Sequence, residues 1–483
     1  MSTEESLKQK TFKGTIWSSI ERFSVQGVQF IVMIFMARIL TPSEYGIVGM
    51  ISIFIAVSYT LVNSGFSQAL VRKQNRTQTD LSTVFFFNIG VGLFLYFVLF
   101  FSAPAIARFY NEPLLVPITR IIAICLPLNS LGVVQFAVFT LAVDFKSISK
   151  ASLSSAIANG VVGLTLAYCG YGVWALVWCQ VAGTVVNVSI VWLLARWRPT
   201  WEFSWKSFRE LFGFGSKLLA SGLLDTLYSN IYLLVIGKVF KAADLGYYSR
   251  STSFSSFASS NITAIFQRVS FPVLCTIQND NARLADAYRR ILKMAAYVIF
   301  PLMVGMAAVA KPMIITLVSD KWLYSAVLLV PICLAGMWYP VHAINLNLLQ
   351  VKGRSDLFLR LEIIKKIVCV CILVITVPMG LYAMCWGGLV SSIICLIINT
   401  HYTGKLIHLG FIAQMRDLLP IFLMSFSVGI VVWFTMTYVP LKSWLLLIIG
   451  ISEGVVLYMI LSSMFRFKEY TELLGLIRRK SNG

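Results

Sequence analysis

The chain has 483 residues, 58% of them hydrophobic and only 12% charged, with a mean hydropathy of +0.81 and a net charge of +20. A soluble domain carries about 25% charged residues, so a water-soluble globular protein is excluded and an all-α integral membrane protein is expected. No long stretch alternates apolar and polar residues, which excludes a lipid-facing β-barrel strand pattern.

The opening segment, MSTEESLKQKTFKG, has no short apolar core followed by a small-residue cleavage site, so no cleaved signal peptide is expected. Apolar periodicity then predicts about fourteen transmembrane helices, near 14–38, 43–67, 81–103, 117–143, 149–169, 172–195, 207–236, 243–272, 284–310, 322–350, 357–377, 381–404, 418–438 and 442–464. Each is close to or above the roughly 20 residues a bilayer requires. The first, seventh and eighth are the most polar. Most of the 40 cations fall in the two tails and in alternate loops, such as Arg72, Lys73 and Arg76 or Arg283, Arg289 and Arg290. The opposite loops hold only Arg38, Arg108, Arg120, Lys238, Lys241, Lys311, Lys321 and Lys442. This bias puts both termini in the cytoplasm of a multi-pass membrane protein. It also makes the net charge topogenic, so no nucleic-acid partner is expected. The outside loops are too short for a catalytic domain.

After the first span comes ARILTPSEYG (37–46), and after the seventh comes GKVFKAADLG (237–246). Each corner has a small residue, a cation, a two-residue hinge, a carboxylate and a closing glycine. SAPAIARFY (102–110) and AKPMIITLV (310–318) form a weaker pair of Pro-led echoes. The unit of repetition is six helices, an even number, so the second copy enters the membrane from the same side as the first. The expected layout is two parallel six-helix lobes, 1–200 and 201–405, an additional two-helix hairpin at 406–465 and a basic tail at 466–483. Parallel repeats of this kind occur in transporters.

The first two helices of each lobe carry the polar faces. Span 1 places Thr15, Ser18, Arg22, Gln26 and Gln29 on one face, with Glu21 adjacent. Span 2 adds Ser52, Tyr59 and Asn63. Span 7 has Lys217, Ser221, Asp225, Tyr228 and Tyr232, and span 8 has Ser249, Ser253, Ser256, Ser260, Thr263 and Gln267, with Arg250 at its outer end. Ionisable side chains inside a membrane face a bundle interior or a water-filled cavity. A cavity holding Arg22, Lys217 and Arg250 against Glu21 and Asp225 is cationic on balance and suits an anionic substrate, since the planar arginine fork matches phosphate oxygens. The blander readings are snorkelling for Lys217 and Arg250, a local Glu21–Arg22 contact, and tight helix packing for the serine stripe. Lys365 and Lys366 follow Glu362 by three and four residues, an ordinary helical pair. Glu453 is expected to pair within the C-terminal hairpin. No Cys/His spacing suits a metal, and no His lies beside a nucleophile or carboxylate, so neither a catalytic residue nor a cofactor is expected.

With its corner residues Arg38, Leu40, Pro42, Tyr45 and Gly46 and its six-plus-six-plus-two layout, the chain resembles the polysaccharide-transporter branch of the multidrug/oligosaccharidyl-lipid/polysaccharide (MOP) exporter superfamily. Within that branch it looks like the Wzx-type lipid-linked oligosaccharide flippases, near the colanic-acid and teichuronic-acid translocases. The resemblance implies a transporter and not an enzyme. It implies an undecaprenyl-pyrophosphate-linked oligosaccharide moved between leaflets by alternating access, for lipopolysaccharide, capsule or exopolysaccharide biosynthesis. It also implies a monomer in contact with membrane lipids and other polysaccharide-assembly proteins, with Na⁺ or H⁺ as a possible coupling ion. The competing expectations are a multidrug/cation antiporter of the same superfamily and a membrane polysaccharide polymerase or ligase. The antiporter would need a carboxylate cluster, and the polymerase or ligase a sizeable outside loop.

Overall fold

The computed structural model describes residues 23–63 and 65–481, and these are almost entirely helical. Every expected span has a helical counterpart. Among the described residues, ten helices are long and apolar enough to cross a membrane, eleven if one bent pair is counted as a single span. The others fall short for visible reasons. The first span is described only over Phe23–Ile39 (α1). The eighth, Ala242–Thr276 (α12), is rich in serine. The eleventh, Ser355–Thr376 (α17), carries Arg360, Glu362, Lys365 and Lys366. Cys275 lies in the last turn of α12.

The helices gather into two compact units, one ending at Gly246 and the other beginning at Tyr247. The division by packing therefore falls later in the chain than the division by sequence repeat. In the first unit, α1 is followed by Pro42–Asn63 (α2), Phe66–Arg72 (α3) and the long Gln78–Tyr110 (α4). The fourth span is three short helices, Leu115–Ile122 (α5), Cys125–Ser130 (α6) and Val133–Leu141 (α7). At the joints the backbone tightens to i→i+3 bonds, Ile124 to Ile121 and Gly132 to Asn129. Phe145–Tyr168 (α8) and Val173–Leu194 (α9) form a close antiparallel pair. Small residues permit the approach: Gly183 lies against Asn159 and Ser155, and the Ser155 hydroxyl donates to the Gly183 carbonyl at 2.7 Å. The seventh span breaks at Asn230 into Trp205–Ser229 (α10) and Ile231–Val239 (α11), bent by 42°. The Asn230 side chain donates to the Thr226 carbonyl at 2.8 Å and so covers an acceptor near the break.

The two repeated corners both lie in this first unit, and their shared pattern has a local cause. The Thr41 N–H and hydroxyl donate to Glu44 Oε2 at 2.7 and 2.9 Å, and the Glu44 N–H returns to Thr41 Oγ1 at 3.4 Å. This is a capping box, with Pro42 in the first helical position. The second corner keeps half of it: the Lys241 N–H donates to Asp244 Oδ2 at 3.2 Å, while lysine has no oxygen to return the bond. The glycines do something else. A Cβ built on Gly46 would lie 1.7 Å from the Ala242 carbonyl oxygen, and one on Gly246 would lie 1.9 Å from that of Pro42. Each helix start is packed backbone-to-backbone against the other, at equivalent positions. Lys238 is used beside this contact: its ammonium donates to the Phe109 carbonyl at 2.5 Å and lies 4.5 Å from that ring's centre.

The second unit holds the rest of α12, then Asn281–Ala308 (α13), Ala310–Leu317 (α14), Leu323–Gly336 (α15), Tyr339–Val351 (α16) and α17. It closes with Leu381–Ile407 (α18), Phe411–Tyr438 (α19), Ser443–Met464 (α20) and Lys468–Ser481 (α21). The buried stripe of α12 is Ser251, Ser255, Ser259 and Thr263. That is one register away from the expected stripe, whose Ser256 is exposed. Ser251, Ser259 and Thr263 each donate to the carbonyl four residues back, which lets hydroxyls pack without unpaired protons. A buried polar network joins α16, α18 and α19. His342 reaches Ser392 and Asn399, each at 3.1 Å, and Asn345 meets Gln414 at 3.1 Å and Thr403 at 2.7 Å. Lys365 pairs with Glu362. Glu453 accepts from Thr435 at 3.0 Å, inside the α19–α20 hairpin as its sequence position suggests. That hairpin is tied into the unit by Tyr297 of α13, which donates to Ser462 at 2.6 Å and accepts at its carbonyl from Tyr458 at 2.9 Å.

Candidate functional site

The polar residues of the first unit are organised by how α10 meets α2. Gly65, immediately before α3, is in the left-handed conformation, φ 68°, which favours glycine. A Cβ there would sit 2.6 Å from the Gly215 carbonyl and 3.1 Å from Leu218 Cβ. Gly222 lies against the Thr60 methyl, and the Thr60 and Thr226 hydroxyls share a hydrogen bond at 2.8 Å. Gly215, Leu218, Gly222 and Thr226 thus form the packed face of α10. Lys217, Ser221 and Asp225 fall on a different face and are exposed, with Tyr228 half-buried further along.

Beside it, α2, α3, α6 and α7 enclose a cavity of about 210 Å³. Its polar lining is Tyr59, Asn63, Ser67 and Asn129, and its apolar lining includes Val133 and Phe136. The Asn129 amide donates to the Tyr59 hydroxyl at 3.1 Å and to the Cys125 carbonyl at 2.7 Å. Tyr59 and Asn63 were expected to line a cavity. Asn129, Ser67 and Phe136 were missed, although an asparagine amid the apolar run 117–143 is a signal that sequence alone offers.

The remaining expected residues are placed differently. Glu21 and Arg22 lie outside the described residues. Gln26 is half-buried, its Oε1 without a hydrogen bond among the described residues, and Gln29 is exposed. Arg250 belongs to the second unit, where it is 8% exposed and its guanidinium carbon lies 5.9 Å from the centre of the Trp322 ring. Among the described residues, no three His, Cys, Asp or Glu side chains gather as metal ligands would.

At the end of the first unit far from the corners, Lys73 bridges Asp80 and Glu210, each at 3.0 Å. Asp80 is 1% exposed and closes a capping box with Thr77 at the start of α4. Arg72 lies over the Phe214 ring at 4.4 Å. Burial works against the Lys73 ammonium, but the Glu210 and Asp80 carboxylates outweigh it and hold its pKa above the ordinary 10.5. The group's contribution to stability is therefore fully present at neutral pH and is lost only as pH rises through the raised value. Lys73→Met leaves Asp80 without its cation, at a cost of about 1–3 kcal/mol. The apparent melting temperature in detergent should drop by several degrees, and an unchanged melting curve would show the bridge to be idle. In the second unit the loop pair Arg354–Asp356, at 2.9 Å, is fully solvated. The Arg354 hydrogen bond pulls the Asp356 carboxyl down to about 2.

The fold is one already seen in membrane transporters. The chain is similar to a structure titled "Lipid II flippase MurJ, inward closed conformation", with a TM-score of 0.78 at 16% identity, covering 95% of this chain and 100% of that one. It is also similar to an inward-facing multidrug resistance MATE family transporter of the MOP superfamily, with a TM-score of 0.62 at 15% identity, covering 84% of this chain and 98% of that one. Among named proteins it is 25% identical to the teichuronic acid biosynthesis protein TuaB of Bacillus subtilis over 463 residues, 94% of this chain and 96% of that protein. It is 24% identical to the lipopolysaccharide biosynthesis protein WzxC of Escherichia coli over 401 residues, 82% of this chain and 80% of that one. The chain is a multi-pass membrane protein with the fold of these two structures. It belongs to the polysaccharide biosynthesis protein family, whose model matches residues 35–327.

Proposed function

We propose that this protein is a flippase that carries an undecaprenyl-pyrophosphate-linked oligosaccharide from the cytoplasmic to the periplasmic leaflet of a bacterial inner membrane by alternating access. Both termini lie in the cytoplasm, so the two glycine corners face the periplasm and the Lys73 bridge faces the cytoplasm. Lys217, with Arg22, serves the pyrophosphate, and Glu21, Gln26, Gln29, Tyr59, Asn63, Asp225 and Tyr228 line the aqueous path. The observation that carries this reading is the exposed stripe Lys217, Ser221 and Asp225 on a membrane-spanning helix of a chain in this family. A lipid anchored by a charged headgroup is the kind of substrate that needs a wet, ionisable face within the bilayer. The work is transport, with no covalent step.

The test is reconstitution in liposomes with a fluorescent undecaprenyl-pyrophosphate saccharide whose outer-leaflet fraction is read by a membrane-impermeant quencher. Time-dependent leaflet transfer is expected. Its absence from correctly folded protein, together with export of a cationic dye from the same liposomes, would favour the antiporter reading instead.

A further inference from the structure

The cavity enclosed by α2, α3, α6 and α7 has a chemistry that the pyrophosphate reading leaves unused. No cation lines it, so it is not built for phosphate. Four polar side chains line it, so it is not built for the hydrocarbon tail, whose burial would leave their donors and acceptors unmet. Among the described residues, the side chains of Asn63 and Ser67 make no hydrogen bond, and the bonds Asn129 makes all use its Nδ2. An asparagine offers both donors and an acceptor, and a hydroxyl offers one of each, so the wall presents both signs of hydrogen-bonding group with no net charge. Phe136 adds an apolar ring to the lining. The volume of about 210 Å³ compares with a water's share of about 30 Å³ in the liquid, which leaves room for a six-membered ring with its hydroxyls. Donors and acceptors along an edge and an aromatic surface beside them complement a pyranose, whose rim is hydroxylated and whose face is C–H.

Position supports the same occupant. Gly65, between the lining residues Asn63 and Ser67, packs against Gly215 and Leu218, which flank Lys217 on α10. Lys217 lies on the adjoining helix, one turn-step round from that contact, so the cavity and the ammonium belong to neighbouring helices of the same unit.

We propose that the cavity is a recognition subsite for an uncharged hexose or N-acetylhexosamine, the sugar joined directly to the pyrophosphate. The proposal rests on the flippase reading and adds the part of the substrate that selects. Asn63 and Ser67 are specificity residues, and the charge of the substrate is handled elsewhere.

The experiment measures binding to the full-length protein in detergent by native mass spectrometry. The probes are undecaprenyl pyrophosphate alone and the same lipid carrying one glucose, galactose, N-acetylglucosamine or N-acetylgalactosamine. At least one sugar-bearing lipid should bind about tenfold more tightly than the bare lipid, as expected where unpaired polar side chains gain partners. In the Asn63→Ala/Ser67→Ala variant the ratio of sugar-bearing to bare-lipid affinity should shrink to about twofold or less, whereas a folding defect would lower both affinities together and keep the ratio. Bare lipid bound as tightly as every sugar-bearing lipid, or a preference that survives in the variant, would overturn the subsite while leaving the flippase reading intact. No binding of any pyrophosphate lipid by folded protein would overturn both.

Discussion

Gly46→Ala should cut leaflet transfer at least tenfold while the protein still inserts in the membrane. The added methyl would sit 1.7 Å from the Ala242 carbonyl oxygen, far inside van der Waals contact. A backbone atom in a first helical turn has no rotamer by which to move aside, so the two helix starts must separate. Ordinary overpacking costs about 1–3 kcal/mol, and a clash with backbone lies at or above the top of that range. Gly246→Ala should behave alike, because its Cβ would meet Pro42 at 1.9 Å. Gly90→Ala is the control: nothing lies within 4 Å of a Cβ there, and a mid-helix alanine is favoured over glycine by about 1 kcal/mol. Wild-type transport by either corner variant would remove the corners from the mechanism.

The second large effect is expected at Lys217. Lys217→Glu reverses the exposed charge on α10 without disturbing the packed face formed by Gly215, Leu218, Gly222 and Thr226. If this ammonium holds the pyrophosphate, losing it costs about 2–5 kcal/mol, or roughly 30-fold to several thousand-fold in affinity. Lys217→Arg keeps the charge and should retain binding within about tenfold. Titration with undecaprenyl pyrophosphate reads both variants. Equal affinity in Lys217→Glu and the wild type would place the headgroup elsewhere.

Most helices were legible in the sequence because long apolar runs leave a membrane chain few alternatives, and their approximate bounds follow from hydropathy, whereas the polar first, eighth and eleventh needed the layout around them. The α10 stripe was legible for the same reason: lysine and aspartate in a span have few places to be. Phase was harder. Serines crowd α12 so densely that either of two i, i+4 rows satisfies a small-residue stripe, and only the packing partners pick out Ser251, Ser255 and Ser259. Sequence also could not show that Arg250 lies buried beside Trp322, because the two are joined by tertiary packing alone. The cavity was half visible. Tyr59 and Asn63 stand on a helix already marked as polar, whereas Asn129 and Phe136 sit on a broken span whose joints no simple period reveals. The Lys73 bridge spans 137 residues to reach Glu210 and leaves no local trace.

The corner contact has a further property. Position 46 meets 242 and position 246 meets 42, so the contact is its own mirror under exchange of the two copies. That is the geometry of an isologous interface, the kind two identical subunits make across a two-fold axis, here written within one polypeptide. In such an interface each glycine is answerable to the other copy's backbone, so neither copy can drift alone. The two corners differ at Thr41 and Lys241, where a capping box has been half dismantled, and agree at the glycines, where the other chain segment sets the limit. Divergence has been free where a residue serves only its own helix and closed where it serves its twin.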